Sequence, residues 1–338
     1  MQRQVLIVRH GPGLGRSDHY LQAAFDYLRA VHPAIERRFR IHETGGAAPS
    51  LDDIAVVVFL LGDPLREFYP KCYAEAVELA ERARRLGLRL LNAPESLSNT
   101  VKSVQSRIWR DAGIATPAYA RFETYDELRA LVERIPPPFL VRSDDEHARA
   151  GLRVCASRKD LDAIDRRELA LPGAIAPLLD VRSGYRPGDP RARFYHKKRI
   201  LVMDRVLRTK HMMFAEGPIV SSKTSVFGRY GSRHTWLHWQ AALRPAHWAC
   251  VQADLAYWQR GSEHEEPMLR AMRALDLEFA AIDYSDMADG TVMLWEANPH
   301  PELPALEKLK MPHIRKTRER LTSYYEAIGR FLADLAKQ

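Results

Sequence analysis

Phe279-Ala-Ala-Ile-Asp-Tyr-Ser285, then Asp289-Gly290, then Val292-Met-Leu-Trp-Glu-Ala-Asn298 is the stretch that decides the fold. Two strand-like runs flank an Asp-Gly pair, a strong signal for a hairpin with a two-residue turn. With Asp289-Gly290 as that turn, Asp283 lies directly across from Glu296. Side chains alternate along a strand, so Asn298 shares the face of Glu296. Two carboxylates and an amide oxygen then meet on one patch. Hard divalent cations take such oxygen donors, and Mg²⁺ usually keeps waters and binds substrate phosphates as well. Carboxylates this close repel each other unless a cation neutralises them.

Upstream of the hairpin, the first 95 residues alternate strand and helix. Val5-Leu-Ile-Val8, Val56-Val-Val-Phe-Leu-Leu61 and residues 88–91 read as strands, and residues 20–31 and 73–86 as helices. The second helix carries Ala76, Leu79, Ala80, Ala83 and Leu86 on one stripe and is closed by Gly87. Strands alternating with helices predict an open parallel sheet. A helix over 98–112 stops at Gly113, and Pro136-Pro-Pro138 precedes the strand Phe139-Leu-Val-Arg142. A polar loop runs from Ser143 to Gly151, and residues 173–222 read as strands interrupted by a charged loop at 184–193. A Trp-rich helix over 235–260, a helix over 266–275 and a last helix over 314–336 complete the chain, with no internal repeat.

The chain has 338 residues, 46% hydrophobic and 28% charged, which fits a folded globular protein and excludes wholly disordered, collagen-like and mucin-like classes. No apolar run reaches the ~18 residues of a membrane span. Met1-Gln-Arg-Gln4 runs straight into a strand, so no signal peptide is expected. Cys72, Cys155 and Cys250 are far apart and form no Cys-x-x-Cys pair, which predicts free thiols in a reducing cytoplasm. The net charge is +8, and between Arg182 and Lys210 ten basic residues stand against Asp189 and Asp204. Such a stretch holds phosphorylated ligands, nucleic acid or anionic membranes, and charge alone does not choose.

A strand bearing Asp followed by Glu296-Ala-Asn-Pro299 resembles the magnesium site of the ATP-grasp ligases, which include glutathione synthetase, D-alanine–D-alanine ligase and peptide-tailoring glutamate ligases. The resemblance covers most of the chain in the right order. Leu91-Asn-Ala-Pro-Glu-Ser-Leu-Ser-Asn-Thr-Val-Lys102 followed by Ala112-Gly-Ile-Ala-Thr-Pro117 looks like the start of the first ATP-grasp subdomain, where a lysine precedes a helix. Pro138-Phe-Leu-Val-Arg142 looks like the strand carrying a second nucleotide-binding lysine, here Arg142. Ile175-Ala-Pro-Leu-Leu-Asp180 resembles the hinge that meets adenine, and Arg193-Phe-Tyr-His-Lys-Lys-Arg-Ile200 the strand whose arginine approaches the phosphates. The loop after Arg142 departs from the family, because it has no glycine before Gly151 and a single serine.

The resemblance implies an α/β fold, α+β in its C-terminal lobes: an N-terminal open parallel sheet (1–95), a first or lid ATP-grasp subdomain (96–174) and a C-terminal subdomain with the metal site (175–338). It implies ATP and Mg²⁺, two ions, with Mn²⁺ as a substitute. Asp283, Glu296 and Asn298 would hold the metal; Lys102, Arg142, Gly151, Ala176, Leu178, Asp180 and Arg193 would hold the nucleotide; and Arg193, Arg208 and Lys210 would act on the substrate. The implied activity is carboxylate–amine ligation through an acylphosphate, on small-molecule or peptide substrates, in a cytoplasmic homodimer. The basic stretch favours an acidic acceptor, which Arg208, Lys210 and Lys223 could meet, with the Arg9–Arg16 turn lining the same pocket. An ATP-grasp kinase or a nucleotide-binding protein without turnover would carry the same motifs.

Other motifs carry less. Val8-Arg-His-Gly11 resembles the Arg-His-Gly of histidine phosphatases, but no second His-Gly pair follows. Gly11-x-Gly13-x-Gly15 misses the dinucleotide spacing, since Arg16 occupies its last position. Trp236, Trp239, Trp248 and Trp258 with His234, His238 and His247 read as a buried helix face. His234 and His238 have no glutamate base between them. No recognised nucleic-acid motif accompanies the basic stretch, which argues against RNA binding.

Overall fold

The computed structural model describes residues 3–12, 21–145, 151–184, 188–221, 224–226, 245–301, 303 and 314–337. Its strands are β1 (Gln4–Arg9), β2 (Phe39–Glu43), β3 (Ile54–Phe59), β4 (Arg89–Leu91), β5 (Ala120–Phe122), β6 (Phe139–Ser143), β7 (Arg153–Cys155), β8 (Gly173–Pro177), β9 (Tyr195–Met203), β10 (Val206–Ala215), β11 (Phe279–Asp286) and β12 (Val292–Asn298). Its helices are α1 (Gln22–Val31), α2 (Pro33–Glu36), α3 (Leu65–Phe68), α4 (Pro70–Arg85), α5 (Lys102–Asp111), α6 (Tyr125–Val132), α7 (Arg158–Asp162), α8 (Pro245–Arg260), α9 (Glu265–Leu275) and α10 (Ile314–Leu335). The described strands make three four-stranded sheets.

The first sheet is parallel in the order β2-β1-β3-β4. β3 is buried at every position, which is why it reads as an unbroken apolar run. Leu6, Val8, Val57 and Phe59 face α4, whose Ala76, Ala80 and Ala83 let the helix approach closely. Val5, Ile7, Val56 and Val58 face α1 and α10 through Phe25, Leu28, Tyr325 and Ile328. Three of these strands, β1, β3 and β4, are legible in the sequence as apolar runs. The fourth, β2, lies at the edge with only His42 buried, so its apolar signal is weak.

The second sheet is antiparallel, β5-β8-β6-β7, and has its own small core of Phe122, Leu128, Phe139, Val141, Leu161 and Ile175. The segment before it does not share that core: Leu97, Trp109 and Ile114 bury with the first sheet, and the Trp109 indole N–H donates to the Ala271 carbonyl at 3.0 Å. The expected boundary between residues 174 and 175 falls inside β8.

The third sheet is antiparallel, β10-β9-β11-β12. Ile200, Val202, Ala280, Ile282 and Tyr284 turn one face onto α8 and α9. On the other face, Leu201, Met203 and Phe279 meet the core beneath α1 and α10. Further along that same face the side chains change from apolar to charged. The β11–β12 turn is longer than the two-residue turn expected from Asp289-Gly290. Met287 N–H donates to Thr291 at 2.9 Å, and Tyr284, Ser285 and Asp286 face Leu294, Met293 and Val292. A bulge then shifts the register by one, so Asp283 does face Glu296, and Trp295 is the extra residue. Among the described residues no helix is long and apolar enough to cross a membrane.

Asn92 joins the first and third sheets. Its side-chain oxygen accepts from the Glu278 and Phe279 amides at 3.0 and 2.9 Å, and its amide donates to the Phe279 carbonyl at 2.7 Å. Asn92→Ala would leave these buried groups unpaired and is expected to cost roughly 3 kcal/mol, lowering the unfolding midpoint by roughly 4 °C. A wild-type thermal transition in that variant would refute this role. His196 supports the back of the same sheet, its Nε2 accepting from the Asp286 amide at 3.3 Å. Burial, abetted by Lys198 and Arg191, pulls its imidazole down to about 4. The unfolded chain then binds a proton below pH ~6.5 that the native state refuses, so stability falls as pH drops from ~6.5 toward the native value. Denaturant titrations at several pH values should show this slope reduced in His196→Gln; an unchanged slope would contradict it.

Candidate nucleotide site

Pairing across the third sheet sets four side chains in one row: His211 on β10, Arg199 on β9, Asp283 on β11 and Glu296 on β12. Directly opposed residues in antiparallel strands share a face, so the row is a patch on the front of the sheet. Lys197 stands two residues from Arg199, on the same face. Asp283 is fully buried. Lys197 Nζ donates to its Oδ2 at 2.6 Å, Arg199 Nη2 to the same oxygen at 2.8 Å, and Arg199 Nε to Oδ1. Burial works against the charged carboxylate, but Arg199 and Lys197 outweigh it and hold Asp283 far below the usual range.

Glu296 lies 3.9 Å from both Arg142 Nη1 and Arg199 Nη2. Burial and the neighbouring Asp283 push its carboxyl up; Arg142, Lys102 and Lys197 together bring it below its ordinary value. Lys102 opens α5 and is 2% exposed. Burial, then Arg142, pulls its ammonium down to about 8, against the attraction of Glu296, Asp63 and Asp144. The neighbours of Lys102 come from three parts of the fold. Asp63 follows β3, Arg142 sits on β6, and Glu296 is on β12. The site is therefore where the three sheets meet.

The start of α5 is fixed tightly. Asp144 accepts from the Ser103 amide and hydroxyl at 2.8 and 2.6 Å and from Arg121 at 3.0 Å, and its carbonyl takes the Lys102 N–H at 3.2 Å. Gln105, one turn on, accepts from the Ala297 amide at 2.8 Å. The Ala297 bond ties helix to hairpin beside Glu296, and on the other side the Leu294 amide donates to the Ala115 carbonyl at 2.9 Å. Tyr119 completes this wall near Arg142 and Glu296, and burial raises its hydroxyl.

The arrangement brings together Lys102, Arg142, Asp283 and Glu296 of the residues singled out from sequence, and Asn298 shares their face opposite Ala281. Gly151 ends the loop after β6 with φ +60°, and a Cβ there would lie 2.8 Å from Ala170, so only glycine suits it. Ala176 is buried in β8, and the Leu178 amide donates to Pro138 at 3.0 Å. Asp180 is exposed and paired with Arg182 at 2.7 Å. Arg193 lies outside the cluster, exposed and stacked on the Phe194 ring at 4.6 Å. Arg208 is exposed on β10 opposite Leu201, and Lys210 is the bulge residue between Thr209 and His211. Lys223, Gly13, Gly15, Arg16, His234, Trp236, His238 and Trp239 lie outside the described residues. His10 is buried, and its Nε2 accepts from the Gly62 amide at 2.7 Å, so that lone pair is taken by the fold.

Lys197, Arg199, Asp63 and Asp144 were not singled out from sequence. Lys197 and Arg199 stood inside the quoted basic run, and their alternation was the available signal; their partner is more than eighty residues away.

The donor set fits a hard divalent ion in kind, since Asp283, Glu296 and Asn298 all offer oxygen. It is not self-sufficient. Among the described residues no group of three or more His, Cys, Asp or Glu side chains could hold a metal alone. The Asn298 oxygen already accepts from the His300 amide at 2.8 Å. An ion here needs oxygens from a bound ligand or water, as Mg²⁺ commonly does.

No protein-family model matches the chain, and no curated protein matches it. Solved structures do. The ATP-grasp ligase PsnB complexed with minimal precursor, Mg and ADP aligns over 98% of this chain and 98% of its own, at 17% identity and a TM-score of 0.55. The macrocyclase MdnC from Microcystis aeruginosa MRC, bound with precursor peptide MdnA, aligns over 98% of this chain and 99% of its own, at 14% identity and 0.54. VanG D-Ala:D-Ser ligase from Enterococcus faecalis aligns over 96% of this chain and 100% of its own, at 13% identity and 0.50. With a parallel α/β sheet followed by two antiparallel ones, and with these likenesses running end to end, the chain has the ATP-grasp fold.

Proposed function

We propose that this protein is an ATP-dependent carboxylate–amine ligase that forms an amide through an acylphosphate and releases ADP and phosphate. The observation that carries the reading is the pair formed by buried Asp283 and half-buried Glu296, ringed by Lys102, Arg142, Lys197 and Arg199 at the junction of three sheets. Phosphoryl transfer needs little covalent help from a protein and much positioning and neutralisation. Asp283, Glu296 and Asn298 would hold Mg²⁺, which offsets charge on nucleotide phosphates when bound. Lys102, Arg142 and Arg199 supply fixed positive charge in a largely dry cleft, where it acts more strongly than in water. Lys102 is held ready by its burial, and Arg142 by its place on β6 beside Glu296.

Ala176 in β8, with Leu178 and Asp180 just beyond its end, is the proposed adenine contact, and Gly151 is proposed as a phosphate contact. Arg208 and Lys210 lie further along β10 and are suited to an acidic acceptor. PsnB and MdnC are each bound to a precursor in their structures, which supports a peptide as one form of that acceptor. Arg193 keeps a substrate role only if it leaves the Phe194 ring.

The test is ADP release over a panel of carboxylates and amines, with hydroxylamine as a trap. A ligase is expected to yield a hydroxamate in place of the amide, whereas a kinase would leave a stable phosphorylated product. Glu296→Ala should lower turnover by about 10³-fold or more, with the fold intact by circular dichroism. Near-normal ATP consumption by that variant would overturn the assignment.

A further inference from the structure

The two cations on β9 stand between the buried carboxylate and the solvent. The Asp283 side chain is 1% exposed, while Lys197 and Arg199 keep 22% and 17% of theirs in contact with solvent. Both Asp283 oxygens already accept from these cations. A free divalent ion approaching the pair therefore meets positive charge first and finds its strongest ligand occupied. A polyphosphate approaching the same face meets Lys197 and Arg199 as ready donors, with Arg142 and Lys102 behind them.

We propose that Lys197 and Arg199 are resident counter-cations of the metal-ligand carboxylate, so that this site takes its polyphosphate before or together with its divalent ion and does not bind the ion alone. The inference rests on the nucleotide reading above and specifies its order of loading. The phosphates draw Lys197 and Arg199 off Asp283, and the carboxylate so uncovered becomes a ligand. No covalent bond changes; one set of charge pairs is exchanged for another. Lys197 matters most, because a lone ammonium on a flexible stem moves between acceptors more easily than the two-pronged Arg199 contact.

The experiment uses the purified full chain and three titrations: Mn²⁺ alone, followed by electron paramagnetic resonance; ATP in EDTA; and Mn²⁺ with a non-hydrolysable ATP analogue, the last two by calorimetry. The expected result is no saturable Mn²⁺ binding below about 1 mM, and metal-free ATP binding within about tenfold of the metal-loaded analogue. In Lys197→Met, Mn²⁺ alone should bind at least about tenfold tighter, metal-free ATP at least about tenfold weaker, and Lys197→Arg should restore the wild-type order. Stoichiometric Mn²⁺ binding to the wild type that is lost in Asp283→Asn would overturn the proposal while leaving the nucleotide reading intact. So would an unchanged Mn²⁺ affinity in folded Lys197→Met. Failure of every nucleotide to bind would overturn the nucleotide reading, and this inference with it.

Discussion

The rest of the structure depends on a carboxylate buried in a sheet. Asp283 has no contact with water, and a charge so placed persists only if it is paired. Its partners come from the neighbouring strand, and removing one partner of such a buried pair typically costs about 3–5 kcal/mol. That requirement fixes the register of β9 against β11. A one-residue slip of β11 against β9 would turn Asp283 toward α8 and α9, on the opposite face from Lys197 and Arg199. The hairpin register then follows, because the bulge at Trp295 aligns Glu296 with a carboxylate already held in place. A second ion pair on the opposite face, Lys198 with Asp286, holds the same strands from behind, and the His264 ring lies within hydrogen-bond distance of that carboxylate at 3.1 Å.

From this row outward, the fold works as a device for gathering positive charge. The first sheet sends Asp63 and the start of α5, the second sends Arg142, and the third provides the carboxylates with their cations. None of the three could build the cluster alone. The apolar part of the third sheet's front face is covered by the core beneath α1 and α10, and the charged part lies outside that core. Burial depresses the Lys102 ammonium and opposes the charge on both carboxylates, yet the ions sustain one another. A cluster in which cations guard the carboxylates is better prepared for an anionic ligand than for a bare metal.

Much of this was legible in the chain, for identifiable reasons. The strands β1 and β3 announced themselves as apolar runs, and α4 by its alanine stripe, because burial on both faces and helical periodicity leave local marks. The Asp283–Glu296 pairing was anticipated from Asp289-Gly290, although the turn is longer and a bulge restores the register. Here a two-residue rule reached the right pair by a route the chain does not take. What stayed hidden was non-local. Nothing near Lys197 or Arg199 in sequence shows that β9 lies beside β11, so Arg193, which stacks on its own neighbour Phe194, drew attention instead. Asp144 likewise looks like one more loop acid until the start of α5 is seen resting on it.

On the proposed function, this cluster receives Mg²⁺ together with ATP. The most direct measurement is the thermal unfolding midpoint of the wild type and Asp283→Asn, each with and without Mg·ATP at about a hundredfold over its dissociation constant. A ligand that binds only the native state at that excess adds about 2.7 kcal/mol, a shift of several degrees for a chain of this size. That shift is expected in the wild type, and at the same Mg·ATP concentration it should fall to about half or less in Asp283→Asn. No shift in the wild type, or an equal one in the variant, would contradict it.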